Sequence, residues 1–244
     1  MNESVSTSGD VGAALWPPEL DAGSGSLVFD GCDLEALAAD RGTPLWVTSR
    51  QAIERHFESL RSAFAERYEN CEVAYSMKAN NNAAIVALLH RLGALLDCSA
   101  EYEFQLALLA GVPPEDIILN GNGKGHAALE SAVKLGVRQV NVDSLGEAKR
   151  LAKVSAAEDK RVCCAVRVQL TYRDLLAADP SFETTLRIGE GKFGANIASG
   201  EAMATVRAIE DSSHLDFVGF HHHVGFAGYM SDYTPEREVM HHEE

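Results

Sequence analysis

An α/β fold of the (β/α)8 (TIM-like) barrel type, incomplete after about six strands, is what this sequence predicts. Three observations carry that prediction. Candidate strands recur at a nearly constant spacing, the segments between them have helical periodicity, and single strands show one apolar face opposed by one small or polar face.

Candidate strands begin near Val73, Ala94, Ile117, Gln139 and Val162, so the starts lie 21 to 23 residues apart. Each interval holds one helix. In the second, Ile85, Leu88, Leu89 and Leu92 recur at helical spacing before Gly93 stops the helix. In the fourth, Leu145, Ala148, Leu151 and Ala152 repeat the pattern. Alternating strands and helices with short connections imply a parallel sheet, closed or open.

The faces decide between those two. Ala74, Ser76 and Lys78 share one side of the first strand, with Val73, Tyr75 and Met77 on the other; in the fourth, Gln139, Asn141 and Asp143 oppose Val140 and Val142. An open sheet covered by helices on both sides is apolar on both faces, whereas a barrel carries polar groups inward near its mouth. A sixth strand, Leu215 to His223, follows a longer gap that contains Lys192, Phe193 and Gly194, and 21 residues follow it. The chain is therefore expected to stop before the seventh strand of a complete barrel.

Ahead of the regular part, residues 1–26 contain no Lys or Arg and no sustained apolar stretch, and read as a disordered tail rather than a secretory signal. Residues 27–49 form a segment leading into the barrel. Within it a short helix is predicted over Leu34 to Asp40 and a strand over Leu45 to Thr48, separated by Gly42 and Pro44. The partial barrel spans 50–244 and opens on an amphipathic helix carrying Ile53, Phe57, Leu60 and Phe64.

Composition narrows the function. A hydrophobic share of 46% over 244 residues supports a full core, and a net charge of -15 argues against polyanionic partners, whether nucleic acid or an anionic membrane. No apolar run reaches the length of a membrane span. The five cysteines include no CxxC pair and are odd in number, which fits reduced thiols in the cytoplasm. Small-molecule chemistry is the remaining class.

Lys78, Asp97, Asn122, Asp143, Arg167 and His223 fall at or just after six successive strand ends, where barrels place catalytic groups. Lys78 is the most informative. With Ala74 and Ser76 on its own face it is expected in a narrow, poorly solvated space, where an amine attacks an aldehyde; the competing reading is a stem that snorkels to solvent at the rim. In the run His221, His222, His223 only His221 and His223 share a face, so a metal site lacks its third ligand, no metal is expected, and His223 is read as a flat ring packing on a flat ligand. Gly121, Gly123 and Gly125 break the dinucleotide fingerprint at His126 and read as a tight strand-to-helix turn. Cys163 and Cys164 read as packing.

At these residues the chain resembles a known family. YSMKAN over 75–80 is similar to the YxxKAN signature of the barrel-type (fold type III) pyridoxal-phosphate-dependent decarboxylases, the diaminopimelate and ornithine decarboxylase group with its alanine racemase/decarboxylase-like barrel. Collinear segments support it: GTPLWV over 42–47, DCSAEYE over 97–103, GNGK over 121–124, VDS over 142–144 with Glu147, KFG over 192–194, and GFHHHVG over 219–225. The resemblance implies the cofactor pyridoxal 5'-phosphate, joined covalently through Lys78, stacked on by His223, with Asp97, Glu103 and Arg167 in or near its site. It implies loss of carbon dioxide from a small-molecule amino-acid substrate. Phe226 stands where the family commonly has a phosphate-holding Ser, and Ala100 where it usually has Ser. The family's glycine-rich phosphate loop and C-terminal β domain are expected to be absent, so a homodimer or a complementing C-terminal polypeptide is the implied partner. A non-catalytic relative that binds the cofactor, a partner subunit of a decarboxylase, and an amino-acid racemase are the alternatives.

Overall fold

Parallel strands that alternate apolar and polar residues have one stable arrangement, with helices packed against the apolar face and the polar face left for a mouth. The computed structural model describes residues 17–21, 25–169 and 193–223. The chain forms two compact units, residues 1–72 and 73–244.

In the first unit, β1 (Leu20–Asp21), β2 (Val28–Phe29) and β3 (Cys32–Asp33) form a small antiparallel sheet. Residues 1–16 and 22–24 of the segment read as a tail lie outside the described residues; Leu20 and Asp21 pair with Phe29 and Val28. Helix α1 (Leu34–Arg41) begins where Asp33 accepts from the backbone N–H groups of Glu35 and Ala36, at 2.9 and 3.0 Å. Helix α2 (Arg50–Ala65) is capped by Ser49, whose hydroxyl accepts from Ala52 N at 2.9 Å and donates to Asp30 at 2.9 Å. Of the predicted stripe on α2, Phe57 is buried, whereas Leu60 and Phe64 are exposed. The strand predicted over Leu45 to Thr48 does not form. Pro44 offers no N–H and no described strand supplies ladder bonds, so apolar residues alone leave the segment irregular, with Trp46 exposed.

The second unit follows the predicted rhythm. Its elements are β4 (Ala74–Ser76), α3 (Ala83–Arg91), β5 (Leu95–Cys98), α4 (Glu101–Leu109), β6 (Ile117–Leu119), α5 (His126–Leu135), β7 (Gln139–Val142), α6 (Leu145–Ala157), β8 (Val162–Gln169), β9 (Ala195–Asn196), α7 (Glu201–Glu210) and β10 (Leu215–His221). Strands β4, β5, β6, β7, β8 and β10 lie side by side in that order, every pair parallel, and β9 adds a short pairing to β8. Among the described residues this is an α/β barrel sheet of about six parallel strands.

The core sits between this sheet and its helices. Met77, Leu96, Cys98, Ile117, Leu119, Val140, Val142, Cys164 and Val166 are buried in one cluster with Phe104, Leu129 and Leu151 from the helices. Each of these strand residues alternates with a residue of the opposite face, among them Ser76, Asp97, Asn141 and Arg167. Strict alternation fails at one place. A bulge between Phe217 and Gly219 puts Phe217 and Phe220 on one face, their rings 5.3 Å apart and edge to face, where the sequence pattern set Phe220 with Val218. Gly219 takes the bulge at φ +147, open to a residue without Cβ. Beyond it the register brings His221 opposite Arg167.

Among the described residues no helix is long and apolar enough to cross a membrane. Packing predicts a sharp contrast between two leucines. Leu129→Ala, at 0% exposure, should cost ~2–5 kcal/mol in urea unfolding, whereas Leu109→Ala, at 84% exposure, should stay within ~0.5 kcal/mol of the parent. Equal costs would place the core elsewhere.

Candidate active site

Parallel strands all end at the same rim, so the residues at their C-terminal ends meet whatever the sequence distance between them. Ser76 pairs in register with Asp97, and Arg167 with His221. Asn120 directly follows β6, Asp143 follows β7, and His223 lies two residues beyond β10.

The turn after β4 decides the exposure of Lys78. Strand pairing ends at Ser76, Ala79 N donates to Ser76 O at 3.1 Å, and Met77 turns into the core at 0% exposure. Lys78 is thereby carried past the last ladder bond and is exposed, not enclosed as its small strand neighbours suggested. Among the described residues nothing hydrogen-bonds or salt-bridges its amine. Its charge is still felt inside the mouth. Burial first, then the positive charges of Lys78 and Arg167, hold the His223 imidazole below its ordinary range, while Asp97 acts in the opposite sense. Four of the predicted residues, Lys78, Asp97, Arg167 and His223, are thus electrostatic neighbours.

Glu103 has a different place. Its carboxylate accepts from Ser99 N at 2.6 Å and it is buried at the start of α4, so it fastens the β5–α4 turn. That helix lacks a side-chain cap because Ala100 holds the N-cap position. Asp97 and Glu103 both act on the Cys98 thiol between them, which is pushed up to about 12, chiefly by burial.

Asn122, predicted at the rim, is exposed, and Asn120 takes the inward position, its amide 3.4 Å from His221 Nε2. The reach of the glycine turn was two residues shorter than its sequence suggested. Gly121 adopts φ +89, and a Cβ there would lie 2.2 Å from Ser99 O, so only glycine lets the β6–α5 and β5–α4 connections touch.

Three site residues escaped sequence reasoning. Lys124 is buried and its ammonium bonds to Gly121 O, to Asn141 O at 2.8 Å and to Glu147 at 2.8 Å. Glu147 is 1% exposed. Burial pushes the Lys124 amine down and the Glu147 carboxyl up, each opposed by the charge of the other. His221 is the third, its imidazole lowered to about 4 by burial and then by Arg167 and the neighbouring histidines. Lys124 lies in the glycine turn and Glu147 in the first turn of α6, and nothing in their spacing announces that they meet.

Arg167 is braced by Asp143 at 3.7 Å and lies over the Phe193 ring at 5.3 Å. Between these groups are polar atoms with no hydrogen-bond partner among the described residues: Ser76 Oγ, Asp97 Oδ1, Asn120 Oδ1 and His221 Nδ1. Buried polar atoms are normally paired, so the mouth is built for a polar molecule offering both donors and acceptors. Among the described residues no group of three or more His, Cys, Asp or Glu is arranged to hold a metal ion. Phe226 and Lys192 lie outside the described residues.

Comparison with known proteins decides the family. Residues 50–235 match the model of the pyridoxal-dependent decarboxylases, in their pyridoxal binding domain. The chain belongs to this family. It is 33% identical over 225 residues to the diaminopimelate decarboxylase of Aquifex aeolicus, covering 91% of this chain and 50% of that one. The Methanocaldococcus jannaschii diaminopimelate decarboxylase is 30% identical over 224 residues, with 88% and 50% covered. The crystal structure of the diaminopimelate decarboxylase from M. jannaschii in co-complex with L-lysine superposes with a TM-score of 0.74 at 26% identity, covering 84% of this chain and 48% of that one. This chain spans about half the length of the curated relatives it matches.

Pyridoxal 5'-phosphate is the cofactor of that domain, and the mouth fits it: one uncommitted amine, an imidazole for a flat ring, and unpartnered donors and acceptors. The mouth should also show its buried imidazole in a pH titration. His221 is lowered to about 4 in the folded chain from the ordinary 6.5, so the unfolded chain binds the proton first as pH falls. Stability from this group is intact above about pH 6.5 and is lost progressively down to about pH 4. Urea midpoints of the parent and His221→Gln across that range should differ in slope by up to ~1.4 kcal/mol per pH unit; parallel curves would contradict the burial of this ring.

Proposed function

We propose that this chain is the cofactor-binding half of a pyridoxal-phosphate-dependent amino-acid decarboxylase, with Lys78 as the residue joined to the cofactor. The observation that carries the reading is the contrast between two lysines. Lys124 Nζ donates to two main-chain carbonyls and is ion-paired with Glu147, whereas Lys78 Nζ has no partner among the described residues and its charge reaches His223. Attack on an aldehyde requires the ammonium to give up a proton first, and among the described residues no acceptor holds the protons of Lys78.

The remaining residues take roles their surroundings allow. His223, held toward the neutral form, offers a flat ring without the charge of an imidazolium. Asp97 offers an unpartnered carboxylate oxygen to a protonated nitrogen. Arg167, braced by Asp143, offers its guanidinium to an anionic group. Glu103 serves by fixing the β5–α4 turn through Ser99 N, next to Asp97. Bound there, the cofactor supplies an electron sink for the pair of electrons left on the α-carbon when carbon dioxide departs.

An α-amino acid is the substrate class, and diaminopimelate is the first to offer, since the relatives named above carry that substrate in their names. A second copy of this chain or a complementing C-terminal polypeptide is the proposed partner at this site. The second reading is a chain that binds the cofactor without turnover of its own. Cytoplasmic residence is supported by five free cysteines.

Two measurements separate these readings. Incubation with pyridoxal phosphate, borohydride reduction and peptide mapping should place the pyridoxyl group on Lys78, and Lys78→Met should abolish it; labelling of Lys124, or of nothing, would sink the assignment. Carboxyl-labelled diaminopimelate should then yield labelled carbon dioxide, from the chain alone if it is catalytic by itself, or only with an added C-terminal half of a relative if it is one part of a two-part enzyme.

A further inference from the structure

The buried Lys124–Glu147 pair is not accounted for by cofactor chemistry, since neither group is free to touch a ligand. Nor does stability explain it. A buried ion pair gains little over an apolar pair of similar volume, because desolvation of both charges offsets their attraction. What the pair adds is geometry, since one nitrogen fixes three acceptors at once.

Those partners lie on successive parts of the barrel. Lys124 and Gly121 belong to the β6–α5 connection, Asn141 lies in β7, and Glu147 is in the first turn of α6, after its N-cap Ser144. Asn141 and Glu147 flank Asp143, the partner of Arg167. On its other side Gly121 rests on Ser99 O with no space for a Cβ, and Ser99 N is held by Glu103, two residues past Asp97. Asp97 and Arg167 are therefore each placed by an anchored neighbour, and the anchors converge on one ammonium.

We propose that Lys124 is a positioning residue for the cofactor site, a clamp that ties the β6–α5 connection to β7 and to the first turn of α6, with Gly121 passing the restraint on to Ser99, so that Asp97 and Arg167 are set before any ligand arrives. The clamp rests on the reading of this mouth as the cofactor site, but its mechanical part does not. It acts through main-chain carbonyls, so the charge of Glu147 matters less than the acceptor it provides.

The test uses the whole chain and the double variant Lys124→Met/Glu147→Met, which removes both charges together and leaves no buried ion unpaired. Its urea midpoint should match or exceed the parent's, while amide exchange across residues 121–126 and 141–147 speeds up and the dissociation constant for pyridoxal phosphate, read by absorbance, rises roughly tenfold or more. A stable double variant that binds the cofactor as the parent does would overturn the proposal. Should the double variant not fold, Glu147→Gln decides, because its amide oxygen keeps the acceptor. Affinity within about threefold of the parent supports the clamp, and a loss as large as that of Lys124→Met alone assigns the effect to charge and ends the proposal. If the parent itself takes up no cofactor, the functional reading fails separately, and the exchange comparison without ligand still decides the clamp: faster exchange in the variant supports it, unchanged exchange overturns it.

Discussion

Two-residue alternation along six parallel strands is the constraint from which the second unit follows. Because each strand must bury one face against helices, every second residue is committed to the core, and the residues between are committed to the opposite face together. Val140 and Val142 are fully buried in the core, and by the same alternation Asn141 and then Asp143 are placed together on the other face. Parallel pairing then carries every strand to the same rim. No further device is needed to bring Asp97, Asp143, Arg167 and His221 near one another from positions spread over more than a hundred residues of sequence.

That constraint also explains what was legible in the sequence and what was not. The strand starts at Ile117, Gln139 and Val162 coincide with those observed, because periodicity is a local property that one sequence displays in full. The strand over Leu45 to Thr48 failed because a strand needs a partner, and partners are not written in the segment itself. Alternation could be carried through β10 only as far as the bulge at Gly219, where one extra residue reverses the faces. Asn120 was passed over for Asn122 because the glycines after β6 hide where the strand ends. Lys124 and Glu147 were visible as motif members, yet their burial depends on a meeting of two connections that no spacing rule encodes.

Charge in the mouth is arranged against the chain's overall sign. A net charge of -15 would by itself disfavour an anionic ligand at the surface. Within the mouth, however, most of the acids are engaged: Asp143 faces Arg167, Glu147 faces Lys124, and Glu103 takes the backbone N–H of Ser99. Burial first, then the positive charges of Lys78 and Arg167, lower the basicity of His223, with Asp97 opposing them.

The two lysines of the mouth show how hydrogen bonding, more than burial, sorts reactive from structural groups. Enclosure alone would have favoured Lys124, which is buried where Lys78 is exposed. Yet an ammonium must lose a proton before it can attack, and at Lys124 that loss would weaken its hold on the carbonyls of Gly121 and Asn141 and leave the buried carboxylate of Glu147 without its counter-charge. Lys78 has no such obligations among the described residues. The turn that carries it beyond β4 keeps its amine uncommitted, and the anchored connections around it hold the groups that an incoming aldehyde must meet. The reactivity proposed for Lys78 and the rigidity proposed for Lys124 are therefore two consequences of one arrangement, in which each lysine is defined by the acceptors within its reach.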